Sequence, residues 1–343
     1  MIDFNISNRF DNQKDVDSNT SILIIGKGNS EFKENEVIKC TTIDEVEYLY
    51  GQESQLTEAF KESYKIGARD IYLCNCYRYT DYISILTSIT NQEFAYITPL
   101  FDFSETFISE EGKNIYLAEL YSNILSDRLS QIILTDKHAS LYENLQHFLD
   151  SMNSINYDFK KSTFEKLEYG SNLCFVLNIL KDYKFANVAL ASILVQNDFK
   201  EYPQKDIGDV VFDLNNLDVF RQELIYFAYN DLSKTTIENF LNYDPVNEPE
   251  KFVPNNIIKQ RILRALDFSE MAGSIYNPYK KIIIENKANE IMNQFVGNII
   301  ETFKVQQIQA VTIPEEPNTI KIIIYITFKP YNSIEELDVI LEV

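Results

Sequence analysis

Three groups of residues have types and spacings that could support chemistry. The first is Gly26-Lys27-Gly28, directly after the apolar run Ser21-Ile-Leu-Ile-Ile-Gly26. Glycines behind a buried strand can turn backbone amides toward a phosphate. The segment lacks both the G-x-G-x-x-G and the Walker A spacing, and no capped helix follows at once. A tight turn leaving a sheet is therefore the expectation. The second group is Cys74 and Cys76, two residues apart and so on one face of a strand. A metal site needs two more ligands, which Cys40 and Cys174 could supply only if the fold carried them there. Buried cysteines acting as small apolar side chains are the simpler reading. The third is His138, just past the apolar run Gln131-Ile-Ile-Leu-Thr135, where α/β enzymes often carry catalytic groups. No G-x-S-x-G turn offers a nucleophile, and His147 has no ligand partner four residues away. No catalytic residue, cofactor or metal is expected.

The elements that would hold such groups follow from periodicity. Strand-like apolar runs at 21–26, 70–76, 94–97, 131–135 and 173–178 alternate with helical patterns. Thr42-Ile-Asp-Glu45 has capping-box spacing and opens a helix with Ile43, Val46 and Leu49 inward, closed by Gly51. A second helix runs from about Ser54 to Gly67 with Leu56, Ala59, Phe60 and Tyr64 at helical spacing. Further helices are expected at about 111–129, at Ser140–Met152 and at Asn187–Gln196. This is the rhythm of βαβ units and a parallel sheet. Loops rich in Asp, Asn and Pro fill 200–216 and 242–255.

The last ninety or so residues change character. Amphipathic helices are expected over Asn256–Met271 and over Lys287–Lys304, the latter with Ile291, Phe295, Ile299 and Phe303 on one face. The period then becomes two. Ile320, Ile322, Ile324, Ile326 and Phe328 alternate through Thr319–Lys329, and after Pro330-Tyr-Asn-Ser333 so do Leu337, Val339, Leu341 and Val343. Residues 1–7 alternate too, with Ile2, Phe4 and Ile6 on one side, and 8–20 read as a polar linker.

Composition narrows the function. The chain has 343 residues, 45% of them hydrophobic, and a formal net charge of −21. A globular chain of two domains, or of one elaborated domain, follows from the first two numbers. The third opposes nucleic-acid binding, which needs a basic stripe, and opposes an anionic membrane surface. No run approaches the ~20 apolar residues of a bilayer span. The first residues carry neither a basic nor a long apolar stretch, so no secretory signal is expected. Four cysteines in this length do not make a disulfide scaffold, which fits a reducing cytoplasm.

Several phrases resemble the tail sheath proteins of contractile bacteriophage tails. They are Gly51-Gln-Glu-Ser-Gln-Leu-Thr-Glu-Ala-Phe60, Ile66-Gly-Ala-Arg-Asp-Ile-Tyr-Leu73, Lys251-Phe-Val-Pro-Asn-Asn-Ile-Ile-Lys-Gln-Arg261-Ile and Tyr276-Asn-Pro278. The order of elements agrees over most of the chain, and the specific phrases cover about a quarter of it. The family's Trp-Gly-x-Arg-Thr phrase is missing, with Phe240-Leu-Asn-Tyr243 near its place, and so is a Gly-Ala/Gly step after the long helix. These departures leave room for a baseplate or terminator protein of the same fold.

The resemblance implies a subtilisin-like α/β domain without protease activity at 21–250, and an α+β domain facing the tail tube at 251–330. It implies arms at 1–20 and 331–343, and copies that form six-subunit rings stacked into a contracting helix. The partners would be further copies, the tube, the baseplate and the terminator, in a virion tail assembled in the host cytoplasm. Independently, an alternating strand near each end, one on a polar tether, can add to a neighbour's sheet edge. Alternatively, both strands complete the chain's own sheet. Lys280, Lys281 and Lys287, with Lys304, form a basic cluster that could meet an acidic tube surface or could simply be solvated. An α/β hydrolase-like or nucleotide-dependent enzyme, with His138 or Gly26–Gly28 at its site, is the competing function.

Overall fold

The computed structural model describes residues 20–29, 31–76, 85, 89, 94–101, 106–108, 114–116, 130–151, 173–196, 207–214, 225–229, 235–238, 253–266, 268, 277–313, 316–330 and 337–342. They fall into two compact units, the first with its described residues between Thr20 and Glu238, the second between Val253 and Glu342.

The first unit is built on a six-stranded sheet. Its strands are β1 (Ile22–Gly26), β2 (Val37–Cys40), β3 (Ile71–Asn75), β4 (Tyr96–Pro99), β7 (Gln131–Thr135) and β8 (Leu173–Val176), in the order β2-β3-β1-β4-β7-β8. Two short strands intervene in the chain, β5 (Thr106–Ile108) and β6 (Asn114–Tyr116), paired with each other. All sheet neighbours are parallel except the edge pair β2–β3. The five parallel strands thus run second, first, third, fourth, fifth, a doubly wound order whose switch point lies between β1 and β4. Every residue of β1, β3, β4, β7 and β8 is buried. That explains their unbroken apolar runs, since a strand covered on both faces has no reason to alternate.

Helices α1 (Ile43–Tyr50) and α2 (Gln55–Ile66) start as the capping signals predict. Thr42 Oγ1 accepts from Glu45 N–H, and Ser54 Oγ accepts from Thr57 N–H. Gly51 at φ 91° and Gly67 at φ 124° close them. α1 buries Val46 and Tyr50 and leaves Ile43 exposed, contrary to the inward placement expected for Ile43. α3 (Ala186–Leu194) is buried along its whole length and packs, beside α2, over β1, β4, β7 and β8. Two expectations fail here. Asn114–Tyr116 is a strand within the region expected to be helix. His138 and Asn144 each turn the chain, so a 3-10 turn at Ala139–Leu141 precedes a helix that starts only near Leu145. The edge strand β2 and the hairpin of β9 (Tyr226–Tyr229) and β10 (Thr235–Glu238) lie in stretches with no clean period.

The second unit contains α4 (Val253–Ala265), α5 (Pro278–Phe295) and an antiparallel sheet of β11 (Ile300–Ile313), β12 (Glu316–Pro330) and β13 (Leu337–Glu342), in that order. The helix expected over Lys287–Lys304 is corrected. α5 starts earlier, with Asn277 capping Lys280 N–H and Pro278 in its first turn, and it stops at Phe295. Gly297 at φ 81° turns the chain into β11. Its α5 face buries Ile284, Ala288 and Met292, four residues apart, and packs against β11. Among the described residues, no helix is long and apolar enough to cross a membrane.

Candidate functional site

The residues that could have done chemistry are tied into the first unit's scaffold. Gly28 N–H donates to Asn75 Oδ1 at 2.8 Å, and Asn75 Nδ2 donates to Phe32 O at 2.9 Å. The amide a phosphate would need is therefore already used. Gly26 sits at the switch point, where a Cβ would lie 2.5 Å from Leu100 Cδ1. Leu100 and Phe101 are buried and fill that crevice, and Lys27 Nζ lies 5.9 Å from the Phe101 ring centre. Both glycines serve close packing.

All four cysteines are buried, and none is in a disulfide. Cys174 on β8 is four strand spacings from Cys74 on β3, roughly 19 Å, so the four cannot converge on one ion. Burial pushes the thiols of Cys40, Cys74 and Cys174 up to about 12. Among the described residues, no group of three or more His, Cys, Asp or Glu is placed to hold a metal ion.

His138 spends both ring nitrogens on the fold. Nδ1 accepts from Ser140 N–H at 3.2 Å and lies 2.7 Å from Ser140 Oγ, while Nε2 donates to Leu180 O at 2.7 Å. It caps the 3-10 turn and fastens it to the segment after β8. His147 stands edge-on to Tyr142, 5.6 Å between ring centres.

The second unit presents a different kind of site, a long antiparallel sheet with open edges. β11 and β12 span 14 and 15 residues, well beyond the usual five or six. On β12, Ile322, Ile324, Ile326 and Phe328 are buried and alternate with half-exposed Lys321, Ile323 and Tyr325. β13 pairs with the lower part of β12, so Leu337, Val339 and Leu341 lie opposite Phe328, Ile326 and Ile324. The C-terminal strand thus pairs with the Ile320–Phe328 strand of its own chain. Among the described residues, no further strand pairs with the outer edges of β11 and β13, and the one bridge there joins Val296 to Ile300 at the start of β11. Ile2, Phe4, Ile6 and Val343 lie outside the described residues.

The lysine cluster is only partly brought together. Lys280 and Lys281 are in the first turn of α5, where the helix macrodipole disfavours cations. Lys287 is two turns on, its Nζ 5.5 Å from the Phe268 ring centre, and Lys304 is on β11. Beside them Tyr279 is 70% and Ile282 53% exposed, a pair that sequence reading missed. Their signal was an apolar i, i+3 spacing outside the expected helix.

This arrangement, a doubly wound α/β unit followed by a unit of two helices and a long antiparallel sheet, is the fold of contractile sheath proteins. It resembles a chain of the anti-feeding prophage baseplate at TM-score 0.62 and 9% identity, over 94% of this chain and 92% of that one. The sheath tail protein of Desulfitobacterium hafniense matches at TM-score 0.62 and 12% identity, over 94% and 96%. The sheath of an extracellular contractile injection system (PVC, contracted state) matches at TM-score 0.61 and 11% identity, over 92% and 89%. At these identities the likeness is one of fold. No protein-family model and no curated protein matches the chain.

Proposed function

We propose that this chain is a structural, non-enzymatic subunit of a contractile tail sheath. It polymerises into six-subunit rings stacked around a tail tube, and the stack shortens to drive the tube through a host envelope. The carrying observation is that the fold corresponds to sheath proteins almost end to end. In this reading the α/β unit stands where the family has its subtilisin-like domain, without protease activity. The second unit faces the tube, with Lys280, Lys281 and Lys287 at the contact. Strands at both ends, Ile2, Phe4 and Ile6 with Leu337, Val339, Leu341 and Val343, join neighbouring copies through the open sheet edges. An unpaired edge is a template for such pairing. Baseplate and terminator proteins close the stack of a virion tail assembled in the host cytoplasm. The net charge of −21 keeps free subunits apart before assembly and gives no footing for nucleic acid.

A second reading is a baseplate ring of the same fold, favoured by the match to chains of the anti-feeding prophage baseplate. Negative-stain microscopy of the purified full chain separates the two. Tubes or stacked rings support the sheath, and single rings support the baseplate component. Compact monomers at every concentration and ionic strength defeat both.

A further inference from the structure

The two edges of the α/β sheet are finished differently. At β8 the edge is covered. Ile225 N–H donates to Phe175 O and Leu177 N–H donates to Ile225 O, both at 2.8 Å, so the segment leading into β9 runs beside β8. At the other edge stands β2, four residues long, and among the described residues no further strand lies outside it. Val37 and Ile38 are half-buried and Lys39 is exposed, whereas the other five strands are buried throughout. An open edge is a template for another strand, here β2 of a second copy. Two features oppose that use. Lys33 at φ 54° and Asn35 at φ 63° bend the chain just before β2, and Asn35 N–H donates to Asn75 O at 2.9 Å. The strand therefore stays short. Lys39 lies opposite Tyr72, on the face of the sheet where Tyr72 and Cys74 are buried. Its ammonium leans back over β3, 5.3 Å from the Tyr72 ring centre and 2.5 Å from Asp70 Oδ1. Both carboxyl oxygens of Asp70 are buried.

We propose that Lys39 guards this edge: it keeps β2 of one copy from pairing with β2 of the next, and so confines association between copies to other surfaces. The mechanism is desolvation. The Lys39 side chain is 47% exposed although it stands on the buried face, an exposure that an edge position permits. A strand added outside β2 would make Lys39 an interior residue of the sheet and take that water away. The ion pair with Asp70 would then be buried, and the lost hydration of two charges exceeds their mutual attraction unless every polar atom is bonded. An apolar residue at this position would impose no such cost, and a β-branched one would favour the pairing. In the sheath reading, the surfaces left for association are the long edges of the second unit's sheet. That last step rests on the reading above, while the guard rests on the α/β unit alone.

Lys39→Val with Asp70→Asn tests this, because the pair of substitutions removes the charge without stranding its partner. They are made in the full chain that also carries Val339→Asp and Leu341→Asp, so that assembly through β13 does not mask the result. In sedimentation velocity this chain should associate at a concentration about tenfold lower than its parent with the β13 substitutions alone. Infrared spectra should show added intermolecular β-structure. Lys39→Arg in the same parent keeps the charge and should stay as dispersed as the parent. Equal dispersal of the Lys39→Val chain, or association of the Lys39→Arg chain, overturns the proposal. Should the Lys39→Val chain fail to fold by circular dichroism, Lys39→Gln with Asp70→Asn keeps a hydrogen-bonding pair without charge. It should associate more readily than the parent, and unchanged dispersal there also overturns the guard. Absence of tubes or rings from the unaltered chain counts against the sheath reading alone, since none of these comparisons depends on them.

Discussion

The side-chain amide of Gln306 donates to Thr327 Oγ1 at 2.5 Å, at the place where β11 carries one residue more than β12. Val305 pairs with Ile326 and Gln307 with Tyr325, so Gln306 is a bulge with no partner of its own. The bulge reverses the parity of β11. Phe303 and Val305 match buried β12 residues on one side of it, and Ile308 and Ala310 do so on the other. Deleting Gln306 should leave a regular ladder in the same register, costing about 1 kcal/mol for the lost hydrogen bond. Deleting Gln309 instead must turn either Ile308 or the strand beyond it to the wrong face, and should cost above ~2 kcal/mol. Urea unfolding midpoints compare the two, and equal losses would reject this account of the bulge.

Gly297 has φ 81° with nothing within 4 Å of a would-be Cβ. Gly297→Ala therefore meets strain but no clash. The expected loss is ~1–2 kcal/mol, with the α5–β11 turn as the element affected. A neutral effect on thermal unfolding would show that another conformation serves equally well.

The thiols of Cys40, Cys74 and Cys174 are held up to about 12 by burial. At pH 8 the folded protein should give almost no reaction at these positions with a thiol reagent over hours, because the thiolate is the reacting form. Denaturant should release all four cysteines at once. Rapid labelling of native Cys74 would mean that the central sheet opens readily.

Val339 and Leu341 lie opposite Ile326 and Ile324, both essentially inaccessible to solvent. Replacing Val339 and Leu341 together with Asp should strip β13 from the sheet. Sedimentation should then show no polymer, while circular dichroism of the α/β unit is retained. Normal polymers from this variant would remove β13 from the assembly mechanism.

Glu at Lys280 and Lys281 places negative charge on the first turn of α5, which the helix dipole favours. Helix stability should hold or rise slightly, by ~0.3–1 kcal/mol per site. Adding Lys287→Glu removes the contact with Phe268 and should cost about 1 kcal/mol. Binding to tube protein in a co-sedimentation assay should nevertheless weaken in all these variants. Unaltered co-sedimentation would free these lysines from any role in the contact.

Local signals were read correctly where one interaction decides the outcome. Thr42, Ser54, Gly51 and Gly67 set the ends of α1 and α2 by hydrogen bonds and backbone angles within a few residues. The buried strands were legible because a layer covered on both faces selects continuous apolar runs. The alternation of Ile320 to Phe328 declared β12 for the converse reason. The closing strand declared itself in the same way, and its pairing with β12 needed only a short connection.

Two kinds of feature needed tertiary structure. One is illustrated by residues 295–303. Phe295, Ile299 and Phe303 are spaced like a helix face, but Phe295 ends α5, Ile299 sits in the turn and Phe303 pairs with Phe328. The bulge at Gln306 then breaks the period of two that would have revealed β11. The other concerns polar residues whose partners are distant in sequence. Asn75 holds Gly28 across 47 residues, His138 reaches Leu180 across 42, and Glu62 takes the amides of Lys184 and Phe185, just before α3, across 122 and 123. Periodicity records which face a residue turns to the core. It carries no record of which distant amide or carbonyl will be there, because that is fixed only when the helices settle on the sheet.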